Sequence, residues 1–398
     1  MLITNARIFR DEGFFEPGEI EIDGGRFGKI KYGAAACANA GVNVDANVGV
    51  NAGANDHIVD AGGRYAIPGL IDIHLHGCAG YNFYDADPDS LMKMLRYQAA
   101  NGVTAVCPAT LTLPEEALAR ACESAAAFIG REKGADFAAL LGVHLEGPFL
   151  SPKKAGAQNP AYAIPPDMEM FKRLAGISDG LVKIVAVSPE LEGALDFIAA
   201  ASKETVVAIA HTNAGYEAVA EAFKRGASHA VHLYNAMSPL THREPGAVGA
   251  IFDTPGITAE IICDGVHLHP AAVRIALKSL GPARPVFVSD SMAATGLGDG
   301  FYDLGGLPIK VEGKAARLVN GGNIASSVSN LMDCVRAAVK SVGVPLADAV
   351  RCASANPARV MGAGGERGRI AEGLIADLAL LDDDLNVCKV FVRGRELI

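Results

Sequence analysis

Five side chains able to hold a metal, and one carboxylate able to move a proton, stand out in the 398-residue sequence. Residues 67–77, IPGLIDIHLHG, run as an apolar, mostly branched strand into His74-Leu75-His76. In a strand, residues i and i+2 share a face, so both imidazoles leave the same side. Neutral imidazole is a good ligand for zinc or iron. Taken alone, the pair also fits two polar residues at a strand terminus. Further along, VHLEGPF brings His144 and Glu146, AIAHTNAG brings His211, and HLYNAM brings His232 and Asn235. CDGVH brings Asp264 and His267, and VFVSDSM brings Asp290. His74, His76, Glu146, His211 and His232 together can hold two divalent ions, with Glu146 bridging. Such a pair lowers the pKa of a shared water, so that hydroxide exists at neutral pH. Asp290 then serves as general base and acid, taking the proton and returning it to the leaving group. The remaining histidines have ordinary explanations. His144, two residues before Glu146, reads as a hydrogen-bonded core histidine. His229 opens its strand and reads as structural, His269 reads as exposed, and His242 sits in a loop and fits either account. Lys183 lies near the start of VKIVAV, away from the Ser188-Pro189-Glu190 end, and reads as structural.

These residues share chemistry only if the chain gathers them. Residues 66–358 alternate apolar strands with Ala-rich helical stretches, which implies βα units and a parallel sheet. The strands fall at 67–75, 103–108, 140–146, 182–187, 205–210, 229–233, 257–263 and 286–289. The helical stretches fall at 89–101, 115–133, 168–175, 191–202, 216–226 and 271–280. The recipe is an α/β protein of the (β/α)8 TIM-barrel type, in which chemistry collects at the C-terminal ends of the strands. A doubly wound sheet is the rival, but no GxGxxG follows the first strand. Residues 1–65 and 359–398 read as short strands that pair into one small β-sandwich domain. Residues 33–55, built almost wholly of Ala, Gly, Asn and Val, read as a low-complexity insertion or mobile loop.

Composition narrows the partners. The chain is 50% hydrophobic, 20% charged, and carries a net charge of −10. That balance, without a Lys/Arg run, argues against nucleic acid. The sequence holds no apolar run of the roughly 18–20 residues that span a membrane, and its N-terminus has no signal-like apolar segment. The eight cysteines include no CxxC pair. Cys78, Cys107, Cys263 and Cys334 read as small buried hydrophobes. A reducing cytoplasm is the expected compartment.

The motifs, taken in series, resemble the N-acetylglucosamine-6-phosphate deacetylases of the amidohydrolase superfamily. The resemblance runs from IPGLIDIHLHG through LGVHLEGPF, KKAGAQNP, AHTNAG, HLYNAMSPLTHREPGAVGA, CDGVHLHP and VSDSM to ADLALLD. It implies a barrel capped by a small β-sandwich, and an amino-sugar catabolic enzyme that releases acetate from N-acetyl-D-glucosamine 6-phosphate. It implies one or two divalent ions per subunit, Zn2+ as the first reading and Fe2+ as the second. Glu146, His211 and His232 correspond to the tight metal site and Asp290 to the catalytic acid/base. Asn235 and Ala236 correspond to sugar-phosphate contacts, and His267, beside Asp264, to a phosphate partner. Arg243 of HREPG corresponds to an arginine that reaches a neighbouring subunit's site, which implies a homodimer. Ile324, Ala325 and Ser326 match a loop lining the sugar, and Ala157 and Gln158 lie in the loop facing the acetyl group. Gln158 stands where other members carry a histidine that polarises the acetyl carbonyl, and glutamine carries no charge. A second ion at His74 and His76 can take over that role. Alternatives are the N-acetylgalactosamine epimer, another amide or cyclic amide, and, more remotely, a non-catalytic scaffold.

Overall fold

The structure, a computed structural model, describes residues 1–33, 57–129 and 136–398. The low-complexity stretch lies outside the described residues from position 34 onward, and so does the expected helix at 115–133 beyond Ile129. The two ends of the chain meet in one eight-stranded sheet. Leu378–Leu381 pairs antiparallel with Tyr65–Pro68, which runs parallel to Leu2–Arg10. Phe14–Asp23 and Arg26–Tyr32 extend one side, and Val387–Val392 and Arg395–Glu396 the other.

The strand expected at 67–75 divides. Tyr65–Pro68 belongs to this terminal sheet, whereas Leu70–Asp72 pairs in parallel with Val103–Val106. The crossing is at Gly69, where an added Cβ would lie 2.1 Å from Thr104 Oγ1. Only glycine lets the backbone pass that close.

The parallel strands follow in chain order. Leu70–Asp72, Val103–Val106 and Ala139–Leu140 form one run; Val143–Leu145, Val182–Val187, Val206–Ile209, His229–Ala230, Thr258–Ile262 and Pro285–Val288 form the next. The expected strand at 140–146 is therefore two short pieces, joined through residues 141 and 142, that link the runs. The sheet curls until its edges touch at the strand ends. Asp290 N–H donates to the His74 carbonyl (2.9 Å), and His76 N–H to that of Ser291 (2.7 Å).

Period-two alternation sorts the strand residues by face. Ile71 and Ile73, Ala105 and Cys107, Ile184 and Ala186, Ala208 and Ala210, and Val286 and Val288 pack together on the concave side. Val185, Val187, Val207, Ile209 and Phe287 join the larger cluster beneath the helices. Those helices include Pro88–Ala100, Glu115–Ile129, Met168–Ile177, Ala194–Ala201, Tyr216–Lys224 and Pro270–Leu280. Several described elements fall outside the expected set, among them helices Leu331–Ala337, Leu346–Ala353, Ala355–Val360 and Gly246–Asp253 and one small sheet. Helix Gly246–Asp253 is buried over most of its length and carries two glycines; Gly249, inside it, costs ~1 kcal/mol against alanine, and Gly246 opens it at φ 61°. A three-stranded antiparallel sheet, Gly300–Leu304, Leu307–Glu312 and Ala315–Leu318, follows the last parallel strand and brings Leu304 toward Leu111 at the mouth.

Candidate metal centre

The five candidate ligands and Asp290 each lie one to four residues past the C-terminal end of a parallel strand. Three of them sit in the left-handed region: His211 at φ 42°, His232 at φ 28° and Asp290 at φ 48°. Such backbones cost non-glycine residues about 1–3 kcal/mol each and gather at functional sites. Here the turn ends each strand abruptly and swings its side chain into the mouth. Asp290 is held in that turn by the loop after it, since its carbonyl accepts from Ser327 N–H (2.7 Å) and the Ser326 hydroxyl (2.5 Å).

Glu146 is the hub, and it divides its two oxygens. Oε1 lies 3.1 Å from His211 Nε2 and 3.0 Å from His232 Nε2, and those two nitrogens are 3.1 Å apart. Oε2 lies 3.3 Å from His76 Nε2 and 3.4 Å from His74 Nε2. Asp290 Oδ1 closes the second group, 3.2 Å from His76 Nε2 and 3.6 Å from His74 Nε2. Two ligand triads, His74/His76/Glu146 and Glu146/His211/His232, thus share one carboxylate.

The outer ring nitrogens decide what the inner ones can be. His211 Nδ1 donates to the Lys154 carbonyl (2.8 Å), His76 Nδ1 faces the Ala109 carbonyl (3.3 Å), and His74 Nδ1 faces Glu260 (2.8 Å). With Nδ1 carrying the proton, each Nε2 presents a lone pair toward carboxylate oxygens, which are acceptors too. His74 Nε2 is buried and has no hydrogen-bond partner among the described residues. Acceptors crowded on acceptors call for cations between them, so the donor set fits divalent ions of the His/carboxylate type. A proton on Nε2 is the alternative to a cation there, and the same carboxylates favour it. Burial alone would lower His74 and His76, but Glu260 and Glu146 outweigh it at His74, and Asp290 and Glu146 hold His76 up at about 9. Burial would raise Glu146 and Asp290, yet the surrounding imidazoles hold both below the usual carboxylate range.

Above this floor lies a pocket of about 130 Å³ that opens to solvent. His76, Glu146, His211, His232 and Asp290 line its base; Ala157, Gln158, Asn235, Ala236, His267, Ile324 and Ser326 line the walls. Asp264 stands behind His267, accepting from its Nδ1 at 2.8 Å, and Ala325 is buried behind Ile324 and Ser326. Arg243 is exposed in the loop before helix Gly246–Asp253 and lines no part of its own chain's pocket. His144 is buried beneath His74, with Nδ1 facing the Ile73 carbonyl at 3.2 Å, and burial holds it near 3, neutral. Lys183 is exposed and donates to the Gly180 carbonyl.

The sequence singles out Gln158 but not Glu260, Leu111 or Leu304. Gln158 is locked rather than free: its oxygen accepts from Thr112 N–H (2.6 Å) and its amide donates to Glu146 Oε2 (2.7 Å). Glu260 touches His74, His229 and the His232 backbone, and a lone carboxylate inside TAEIIC was the available signal. Leu111 and Leu304 supply apolar wall, with no signal in their local sequence.

Comparison with known proteins agrees with this geometry. Residues 65–397 match the profile of the amidohydrolase family. The chain is 36% identical over 330 residues to the N-acetylglucosamine-6-phosphate deacetylase of Bacillus subtilis, covering 82% of this chain and 83% of the relative. It is 35% identical over 329 residues to the N-acetylgalactosamine-6-phosphate deacetylase of Escherichia coli O157:H7, covering 82% and 86%. A variant N-acetyl-D-glucosamine-6-phosphate deacetylase of Mycobacterium smegmatis, solved with N-acetyl-D-glucosamine 6-phosphate, superposes with a TM-score of 0.89 at 33% identity. That alignment covers 100% of this chain and 99% of the other.

Proposed function

The chain belongs to the amidohydrolase family, and from that premise we propose that it hydrolyses N-acetyl-D-glucosamine 6-phosphate to D-glucosamine 6-phosphate and acetate. The observation that carries the reading is Glu146 dividing its oxygens between two histidine pairs, with Asp290 beside the second pair. Zn2+ is the ion on this reading, since two histidines and a glutamate form a set common in catalytic zinc sites. When bound, the divalent ion supplies Lewis acidity, polarising the acetyl carbonyl and lowering the pKa of water.

The residues do the rest. Glu146 bridges the two histidine pairs, and Gln158 pins the oxygen that faces His74 and His76. Asp290, ionised at neutral pH, accepts the proton of the attacking water and hands it to the departing amine. Asn235, Ala236 and the 324–326 loop orient the sugar. His267 faces its phosphate, and Arg243, exposed and unused by its own pocket, serves the neighbouring subunit of a homodimer; a planar guanidinium suits phosphate because it donates two parallel hydrogen bonds. We read the curled sheet as a (β/α)8 barrel over 66–358, with residues 1–65 and 359–398 as its β-sandwich. Seven cysteines among the described residues are free thiols, which supports a reducing cytoplasm.

Acetate release from the purified, zinc-loaded protein tests the reading. N-acetyl-D-glucosamine 6-phosphate is expected to turn over, and the sugar without phosphate or a dihydropyrimidine is not. The galacto epimer is the second reading, favoured by the 35% identical Escherichia coli relative, and a higher kcat/KM on that epimer would select it. No acetate from either phosphosugar would sink both.

His267 gives this scheme a pH signature. Burial lowers its pKa, but the hydrogen bond and charge of Asp264 outweigh burial and raise it above the ordinary value. The imidazolium that attracts phosphate therefore persists to higher pH than in a free histidine and is lost as pH rises through the raised pKa. KM should climb on the alkaline side, on the order of tenfold for one charged hydrogen bond, while kcat changes little. Asp264→Asn should move that climb to lower pH. A KM that stays flat from pH 6 to 9 in both proteins would remove His267 from phosphate binding.

A further inference from the structure

Glu260 sits in the middle of strand Thr258–Ile262, fully buried, and none of the steps above uses it. A carboxylate in such a place is costly unless its oxygens are filled, and here they are. Oε2 accepts from His74 Nδ1 at 2.8 Å and from His232 N–H at 3.0 Å, and Oε1 lies 3.2 Å from His229 Nε2. An ionised carboxylate can only accept, so it requires His74 to carry its proton on Nδ1. The lone pair of His74 then points through Nε2 into the mouth. That nitrogen is buried and lacks a hydrogen-bond partner among the described residues, with Glu146 Oε2 at 3.4 Å and Asp290 Oδ1 at 3.6 Å.

We infer that Glu260 is the positioning residue of the second metal site: it fixes the tautomer and tilt of His74, and so lets a divalent ion bind between His74, His76 and Glu146. The inference rests on the metal-dependent reading above. The same carboxylate oxygen also holds the His232 backbone, whose φ of 28° places that imidazole in the first site. Glu260 thereby sets the spacing between the two histidine pairs from behind, touching neither substrate nor ion. Partners of this kind change metal affinity by roughly 10–100-fold when removed.

Glu260→Gln is the test, because it keeps the shape and the acceptor but removes the charge. His232 N–H holds the amide oxygen at the position of Oε2, so the His232 turn is kept while His74 Nδ1 faces a neutral acceptor that no longer strengthens the ring as a ligand. The metal-free protein is titrated with zinc alone, and bound zinc is counted by elemental analysis. The wild type is expected to take two equivalents. Glu260→Gln should keep the first within threefold of wild-type affinity and weaken the second by roughly 10–100-fold. A merely structural role would weaken both equally, and that result overturns the inference, as would two ions bound at wild-type affinity or a wild type that takes only one. Should the variant fail to fold, ring-nitrogen NMR of the zinc-loaded wild type decides: His74 protonated on Nδ1 and coordinated through Nε2 supports the assignment, and Nε2–H overturns it. Neither measurement involves substrate, so a failure to release acetate would overturn the proposed reaction and leave this assignment standing.

Discussion

Asp290→Asn is expected to lower kcat by about three orders of magnitude with the metal content unchanged. General acid–base groups contribute roughly 10²–10⁴-fold, and Asp290 handles the proton in both directions, so the upper half of that range applies. The asparagine is nearly isosteric. The backbone contacts that hold the residue, its N–H to the His74 carbonyl and its carbonyl to Ser326 and Ser327, do not depend on the side chain. Glu146, His211 and His232 still form their triad. Elemental analysis beside acetate-release kinetics checks the pair of outcomes. Near-wild-type turnover would remove Asp290 from the reaction, and loss of both ions would make it a ligand first and a proton carrier second.

Glu146→Gln should do more damage by a different route. One carboxylate serves four imidazole nitrogens at 3.0–3.4 Å. Replacing it removes the negative charge common to both sites and sets an amide donor where an acceptor is required. Acetate release should fall below detection, and bound metal should drop to well under one equivalent per chain. The loss should also appear in thermal unfolding. Zinc that binds only the folded state stabilises it by RT ln(1 + [L]/Kd), about 2.7 kcal/mol at a hundredfold excess over Kd. The wild-type melting temperature should rise on adding zinc, and that of Glu146→Gln should not. A variant that keeps a full metal complement would show that the two histidine pairs bind without a shared carboxylate.

Much of this was legible in the residue order, for local reasons. Period-two runs ending in His-x-His, HLEGPF, AHT, HLYNAM and VSD placed the ligands at strand ends, because strand geometry and chain order are short-range matters. His144, read as a core histidine, lies buried beneath the mouth, and Lys183, read as structural, is exposed. The series of motifs also carried the family, which the match over residues 65–397 bears out.

What the residue order determined by itself is the inventory: which side chains stand at the ends of which strands, and hence the ions and protons they can handle. What only the tertiary structure decided is which atoms meet. The split at Gly69 depends on Thr104 lying across from it, and the left-handed turns at His211, His232 and Asp290 are tied to Ser188, Glu260 and Ser326, all distant in the chain. The residue order gives Glu260 no role; His74 and His229 come from distant positions to fill its oxygens. Gln158 proved to be clamped between Thr112 and Glu146. Hydrogen bonds and electrostatics act over a few ångströms of space, and only the closing of the sheet brings residues so far apart in the chain within that reach.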